Sequence, residues 1–211
     1  MTTRLELAVF AVGLLAGVLL LAGVWASVLG VADYYPPGER DWRFYALWGL
    51  SHLLSVTLVV LGYLQWGSLG LPRVPALVAG GALFVGGYAV AIAAGLDLGV
   101  EETKCLEGEL HTGGWYRYSR NPQYVGYILA TVGFALAANA TLVAPLCAIY
   151  LVWWVTLPLA EEPWLREQYG EAYERYAADH PRFLGRQTLR ALRARFGRRP
   201  DGHVDRGPAD D

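Results

Sequence analysis

Between Leu7 and Ala32 the chain carries no ionisable side chain. About 20 consecutive apolar residues are enough for a helix to cross the hydrocarbon core of a bilayer, and this run has 26. It is too long for the apolar segment of a signal peptide and leads into no clear cleavage site, so it reads as a retained span. Four further apolar runs follow: Phe44–Trp66, Val74–Leu96, Tyr124–Ala138 and Ala140–Ala160. Only Asn139 separates the last two, which read as a tight helical hairpin whose short first arm need not cross fully. A soluble protein with buried core helices is the alternative, but these runs show no polar face, as lipid-facing spans do not. Composition points the same way, with 55% hydrophobic and 17% charged residues in a length of 211 that suits one domain with a tail. The expected fold is an all-α integral membrane bundle of about five transmembrane helices with a cytoplasmic C-terminal helical cap.

Basic residues set the expected orientation. With five spans, the N-terminus and the Gln65–Arg73 loop share one side, which holds 2 of the 17 Lys and Arg residues, Arg4 and Arg73; the other side holds the remaining 15. Cytoplasmic loops are the ones enriched in Lys and Arg, so the C-terminus is expected in the cytoplasm. The preference for Arg over Lys suggests the cell membrane of a prokaryote. Cys105 in a loop and Cys147 inside the last span cannot pair across the membrane, and neither has metal-ligand spacing around it, so no metal site is expected.

The chain divides into a three-helix transmembrane scaffold (1–96), a polar-flanked hairpin (97–184), and a basic segment with a tail (185–211). In the scaffold, Gly13-x-x-x-Gly17 and the small residues Ala82, Gly86 and Gly87 suit close helix approach. His52 lies near the middle of the second span, where an ionisable residue is either functional or a neutral imidazole bonded to a neighbouring helix. Asn139-Ala-Thr141 matches a glycosylation acceptor pattern, in a turn close to the membrane. Beyond Gly185, arginines alternate with Leu189, Leu192 and Phe196, which suits either a basic helix on anionic lipid or simple topology retention. Residues 200–211 have the composition of a disordered tail.

The polar stretches 97–123 and 161–183 bracket the hairpin and are expected to meet at its cytoplasmic mouth. Asn121-Pro122 marks the start of the fourth span, since Asn is a favoured N-cap and Pro a favoured first helical residue. The free N–H groups there, with Arg117 and Arg120, form a cradle for an anion such as a cofactor carboxylate; a capped span flanked by positive-inside arginines is the plainer reading. Glu161-Glu162-Pro163 ends the fifth span. Pro163 is expected to open a new helix carrying Leu165, Tyr169, Ala172, Tyr173 and Tyr176 on one face over the mouth. A carboxylate there accepts hydrogen bonds from ribose hydroxyls or an ammonium group, or simply favours the N-terminus of the following helix.

The run Gly114-Trp-Tyr-Arg-Tyr-Ser-Arg-Asn-Pro-Gln-Tyr-Val-Gly126, then a hairpin, then Glu161-Glu-Pro-Trp-Leu165 and Tyr169-Gly-Glu-Ala-Tyr-Glu-Arg-Tyr176 resemble the isoprenylcysteine carboxyl methyltransferase and phospholipid methyltransferase superfamily. The resemblance covers roughly residues 97–184. It implies a membrane-embedded methyltransferase that moves a methyl group from S-adenosylmethionine to a lipid or small hydrophobic acceptor, a carboxylate, thiol or amine. It also implies cofactor contacts from Leu110, His111, Tyr116, Asn121, Pro122, Gln123, Tyr124 and Glu161. Arg120 and Glu162 are candidates for positioning the acceptor or the cofactor's charges. Two departures matter. The family pattern Arg-His-Pro-x-Tyr has Asn121 in the His place, and Asn cannot act as a base. Where prenylcysteine enzymes place a substrate-binding Arg, four residues before the Glu pair, this chain has Leu157. The expected partners are the acceptor and membrane lipids, with no nucleic acid. A sterol-type reductase using NADPH and a non-catalytic scaffold are the rival readings.

Overall fold

The structure, a computed structural model, describes residues 2–99 and 109–196. Lys104, Cys105, Arg198, Arg199 and the tail at 200–211 lie outside the described residues, as do the side chains of Arg195 and Phe196. The described elements are helical: α1 (Arg4–Val28), α2 (Trp42–Leu64), α3 (Arg73–Leu98), a 3-10 turn (Gly114–Arg117), α4 (Pro122–Ala138), α5 (Val143–Tyr169), α6 (Glu171–Asp179) and α7 (Arg186–Phe196). Four of them, α1, α2, α3 and α5, are long and apolar enough to cross a membrane. The fourth span of the sequence reading, α4, has only 17 residues, about 25 Å at 1.5 Å per residue. Large apolar side chains stay exposed along α1–α3, among them Val18, Val56, Val78, Val85 and Ile92. So continuous an apolar surface belongs in lipid rather than water.

Helix starts follow local chemistry. Thr3 and Glu6 form a reciprocal capping box on α1, and the Asp41 carboxylate accepts from the backbone N–H of Arg43 and Phe44 to open α2. Asn139 closes α4 in the left-handed region at φ 49°. Its buried side chain accepts from the Leu71 N–H and donates to the Leu71 carbonyl. The matched glycosylation pattern therefore has an amide fully engaged in joining two loops.

Backbone approach through glycine builds the bundle. A Cβ on Gly13 would lie 2.5 Å from Thr57 Oγ1, and one on Gly17 2.8 Å from Ile149 Cγ2, so α1 packs closely on both α2 and α5. The tightest seam joins antiparallel α3 and α4, where Gly80 faces Gly133 and Gly87 faces Gly126. Ala82 is exposed, and Gly86 has no neighbour within 4 Å of a built Cβ. A Cβ on Gly87 would stand 2.5 Å from Ala130 N and Gly126 O, both backbone atoms that cannot rotate away. Gly87→Ala is therefore expected to destabilise the bundle by about 1–3 kcal/mol, with Gly86→Ala leaving it unchanged. Thermal unfolding of the two variants in detergent reads the difference.

Two sequence expectations need correction. His52 does not bond a neighbouring helix: it is exposed on α2 and its Nδ1 lies 2.5 Å from the Trp48 carbonyl of its own preceding turn. Pro163 does not start a helix. α5 runs unbroken through Pro158 and Pro163 to Tyr169. Proline's fixed φ is compatible with a helix, and the lost backbone bond is offset here by side-chain ties from Glu161 and Glu162 to neighbouring elements.

Candidate active site

The α1–α2 loop, the residues before α4, the end of α5 and all of α6 meet at one end of the bundle. Gly114 makes the turn into this region at φ +51°, and a Cβ there would stand 1.9 Å from Asp97 Oδ2, so only glycine fits. The Asp97 carboxylate in turn accepts from the Trp115 N–H at 2.9 Å. On the far side, α6 buries Tyr173 and Tyr176 and leaves Glu171, Glu174 and Arg175 in solvent. The Tyr176 hydroxyl donates to the Tyr116 carbonyl at 2.8 Å. Burial raises the pKa of Tyr173 and of Tyr176, so both act as neutral hydroxyls.

The chain after α6 then straps back over the start of α4. Arg120 N–H donates to the Pro181 carbonyl at 2.9 Å, and the Arg182 carbonyl accepts from Asn121 Nδ2 at 2.9 Å and Ser119 Oγ at 3.2 Å. Asn121 sits at the N-cap position, but its side chain caps nothing. The strap carbonyl takes its amide instead, and Ser119 Oγ accepts the Asn121 N–H.

Between these walls lies a cleft of about 890 Å³, counting its open mouth. Leu110, His111, Tyr116, Arg120, Asn121, Gln123, Tyr124, Glu161 and Glu162 line it, and Pro122 alone of the sequence-derived candidates faces a neighbouring groove. The two sequence segments expected to converge are thus brought together around open space.

The two adjacent glutamates have opposite surroundings. The Glu161 carboxylate accepts from the hydroxyls of Tyr35 and Tyr124, which stand 2.9 Å from each other. Glu162 is buried and faces guanidinium groups: Arg182 reaches it bidentately at 2.6 and 2.8 Å, Arg120 at 3.0 Å and Arg166 at 3.6 Å. The hydrogen bond to Glu162 raises the pKa of Arg182. Three cations around one carboxylate leave this corner positive. The cleft therefore has an acidic pole at Glu161 and a basic pole at Arg120, which pairs with Glu162, the next residue along α5.

Among the described residues, two polar atoms of the cleft lining are buried without a hydrogen-bond partner, Nε2 of His111 and Nε of Arg120. Buried polar groups are ordinarily satisfied, so these fit a ligand that supplies the missing partners. Tyr35 escaped the sequence reading. It is almost fully buried and comes from the α1–α2 loop, a segment with no periodic pattern to mark it; its position just after the first span, beside Pro36 and Pro37, is the only signal it carries.

No curated protein and no solved structure matches the chain. The phospholipid methyltransferase family model matches residues 75–172. That stretch begins in α3 and ends in α6, so it takes in both sides of the glycine seam, Asn121-Pro122 and the Glu161-Glu162 pair. Residues 75–172 of this chain are thus similar to the phospholipid methyltransferase family, which belongs to the isoprenylcysteine/phospholipid methyltransferase superfamily.

Proposed function

We propose that the chain is a membrane-embedded methyltransferase that binds S-adenosylmethionine in the cleft and methylates a lipid or small hydrophobic acceptor arriving from the bilayer. The observation that carries this reading is the pairing of acidic and basic poles, with two orphaned polar atoms, in one cleft. A zwitterionic amino-acid group suits such poles: Glu161 with its two tyrosines holds the ammonium, and Arg120 faces the carboxylate. Leu110, His111, Tyr116, Gln123 and the main chain at Asn121-Pro122 are assigned to the remainder of the cofactor. Bound S-adenosylmethionine supplies a methyl on a positively charged sulfur, which a nucleophile takes as the S–C bond breaks, leaving neutral S-adenosylhomocysteine.

The chain's own contribution is to position and desolvate. Leu98, Trp164 and Leu165 supply apolar lining for the acceptor, and excluding water favours in-line approach at near-attack distance. Arg120 and Glu162 act as positioning residues. No side chain here is assigned as a base, so a carboxylate or thiolate acceptor suits the site better than a protonated amine. The excess of basic residues at this end supports a cytoplasmic cleft.

Titration in detergent tests the reading against its rivals. S-adenosylhomocysteine is expected to stabilise the protein and NADPH is not; at a hundredfold excess over Kd the gain is about 2.7 kcal/mol. Stabilisation by NADPH alone would favour the reductase, and a response to neither would leave the non-catalytic scaffold.

A further inference from the structure

A second groove, about 1130 Å³ counting its open side, lies behind the first cleft and shares one wall with it. Residues alternate across that wall. Tyr116, Arg120 and Asn121 face the cleft, whereas Trp115, Tyr118 and Pro122 face the groove. The groove runs along Val90 of α3 and Val125 and Leu129 of α4, and its polar end holds Asp97, whose carboxylate is engaged by the Trp115 N–H, with Thr188 and Leu192 of α7. Leu129 lies seven residues inside α4 and Val90 eight from the end of α3, about 10–12 Å along the helix axes. The groove therefore extends from the membrane surface to the depth of acyl chains.

Helix α7 has the character of an element lying in the membrane plane. Thr188 is buried and donates to the Tyr118 carbonyl at 2.6 Å. At 100° per residue, Thr188 and Leu192 share one face of α7, and Arg186, Arg190 and Arg193 fall on the opposite one. All three arginines are exposed, and none takes part in the ion pairs found among the described residues. Leu184 of the groove lining and Leu189 of α7 stay exposed. A short helix with arginines on one side and leucines on the other binds in the interface of an anionic leaflet.

We infer that this groove is a binding site for an anionic phospholipid of the bilayer, separate from the cleft. An acyl chain lies along Val90, Val125 and Leu129, and the headgroup sits at the level of the α7 arginines. The site does not depend on methyl transfer, and its test does not measure activity. Because Tyr118 and Tyr116 belong to one short segment, the lipid also braces the wall of the cleft.

Trp115 lines the groove and serves as reporter. The full chain is reconstituted in phosphatidylcholine vesicles in which about one lipid in five carries a dibrominated acyl chain, as either phosphatidylglycerol or phosphatidylcholine. The Trp115 signal is the difference between wild type and Trp115→Phe. Brominated phosphatidylglycerol is expected to quench it about twofold more than brominated phosphatidylcholine, and combined Arg186→Gln, Arg190→Gln and Arg193→Gln is expected to remove the preference. Leu129→Trp adds a reporter deeper in the groove and repeats the measurement without altering the turn. Equal quenching of wild type by both lipids overturns selection for anionic lipid. No quenching of either reporter overturns the site and means that protein fills the groove.

Discussion

Glu161→Gln is expected to weaken S-adenosylhomocysteine binding by about 30-fold or more. Removing one partner from a buried, hydrogen-bonded charge pair costs about 2–5 kcal/mol, and each 1.4 kcal/mol is about tenfold in affinity. The glutamine keeps the shape of the side chain and can still accept from Tyr35 and Tyr124, so the loss reports the charge facing the ligand ammonium. Tyr35→Phe and Tyr124→Phe each remove one donor to a charged acceptor, worth about 1.5–3 kcal/mol, and are expected to weaken binding about tenfold. Arg175→Gln is the control, because the Arg175–Glu171 pair is exposed on the outer face of α6 and such pairs contribute little. Calorimetric titration in detergent separates these cases. If Glu161 only braces the fold, Glu161→Gln lowers the unliganded thermal midpoint and leaves the affinity for S-adenosylhomocysteine intact.

How much of this site was visible in the sequence depends on range. Spans are legible because a bilayer forbids unpaired charge over some 20 residues, so Leu7–Ala32 declares α1 without reference to any other part of the chain. Asn121-Pro122 marks the start of α4 because N-terminal helix chemistry is local. The convergence of 109–124 with 161–176 follows from the hairpin between them. Tyr35 is the opposite case. It reaches Glu161 across 126 residues of sequence, and no local pattern encodes a loop that folds over another helix end. Side-chain competition was equally hidden: Asn121 had a local cap available, but the strap carbonyl of Arg182 takes its amide. Pro163 misled for a related reason, since its helix-breaking tendency is a local preference and the ties of Glu161 and Glu162 to other elements override it. The face that Pro122 presents, toward the groove rather than the cleft, depends on the twist of a 3-10 turn that composition does not specify.

Glu162→Gln is expected to destabilise the protein by about 3 kcal/mol, the low end for breaking a buried pair by removing one partner. The low end applies because the three cations differ in exposure. Side chains of Arg182 and Arg166 are 38% and 44% exposed and can regain water, whereas that of Arg120 is 12% exposed and cannot. An uncompensated Arg120 beside the cleft is thus the main cost. The double variant Glu162→Leu with Arg120→Met removes both buried charges together, and such apolar replacements are often neutral for stability. Its thermal midpoint in detergent is expected to return most of the way to wild type. Binding should not return with it, because the basic pole that faces the ligand carboxylate has gone. Recovered stability with lost S-adenosylhomocysteine affinity assigns Arg120 to the ligand and Glu162 to holding Arg120 in place. Recovery of both would mean that the pair serves only to fasten α5 to the strap at Arg182, and the carboxylate of the cofactor would then require another partner.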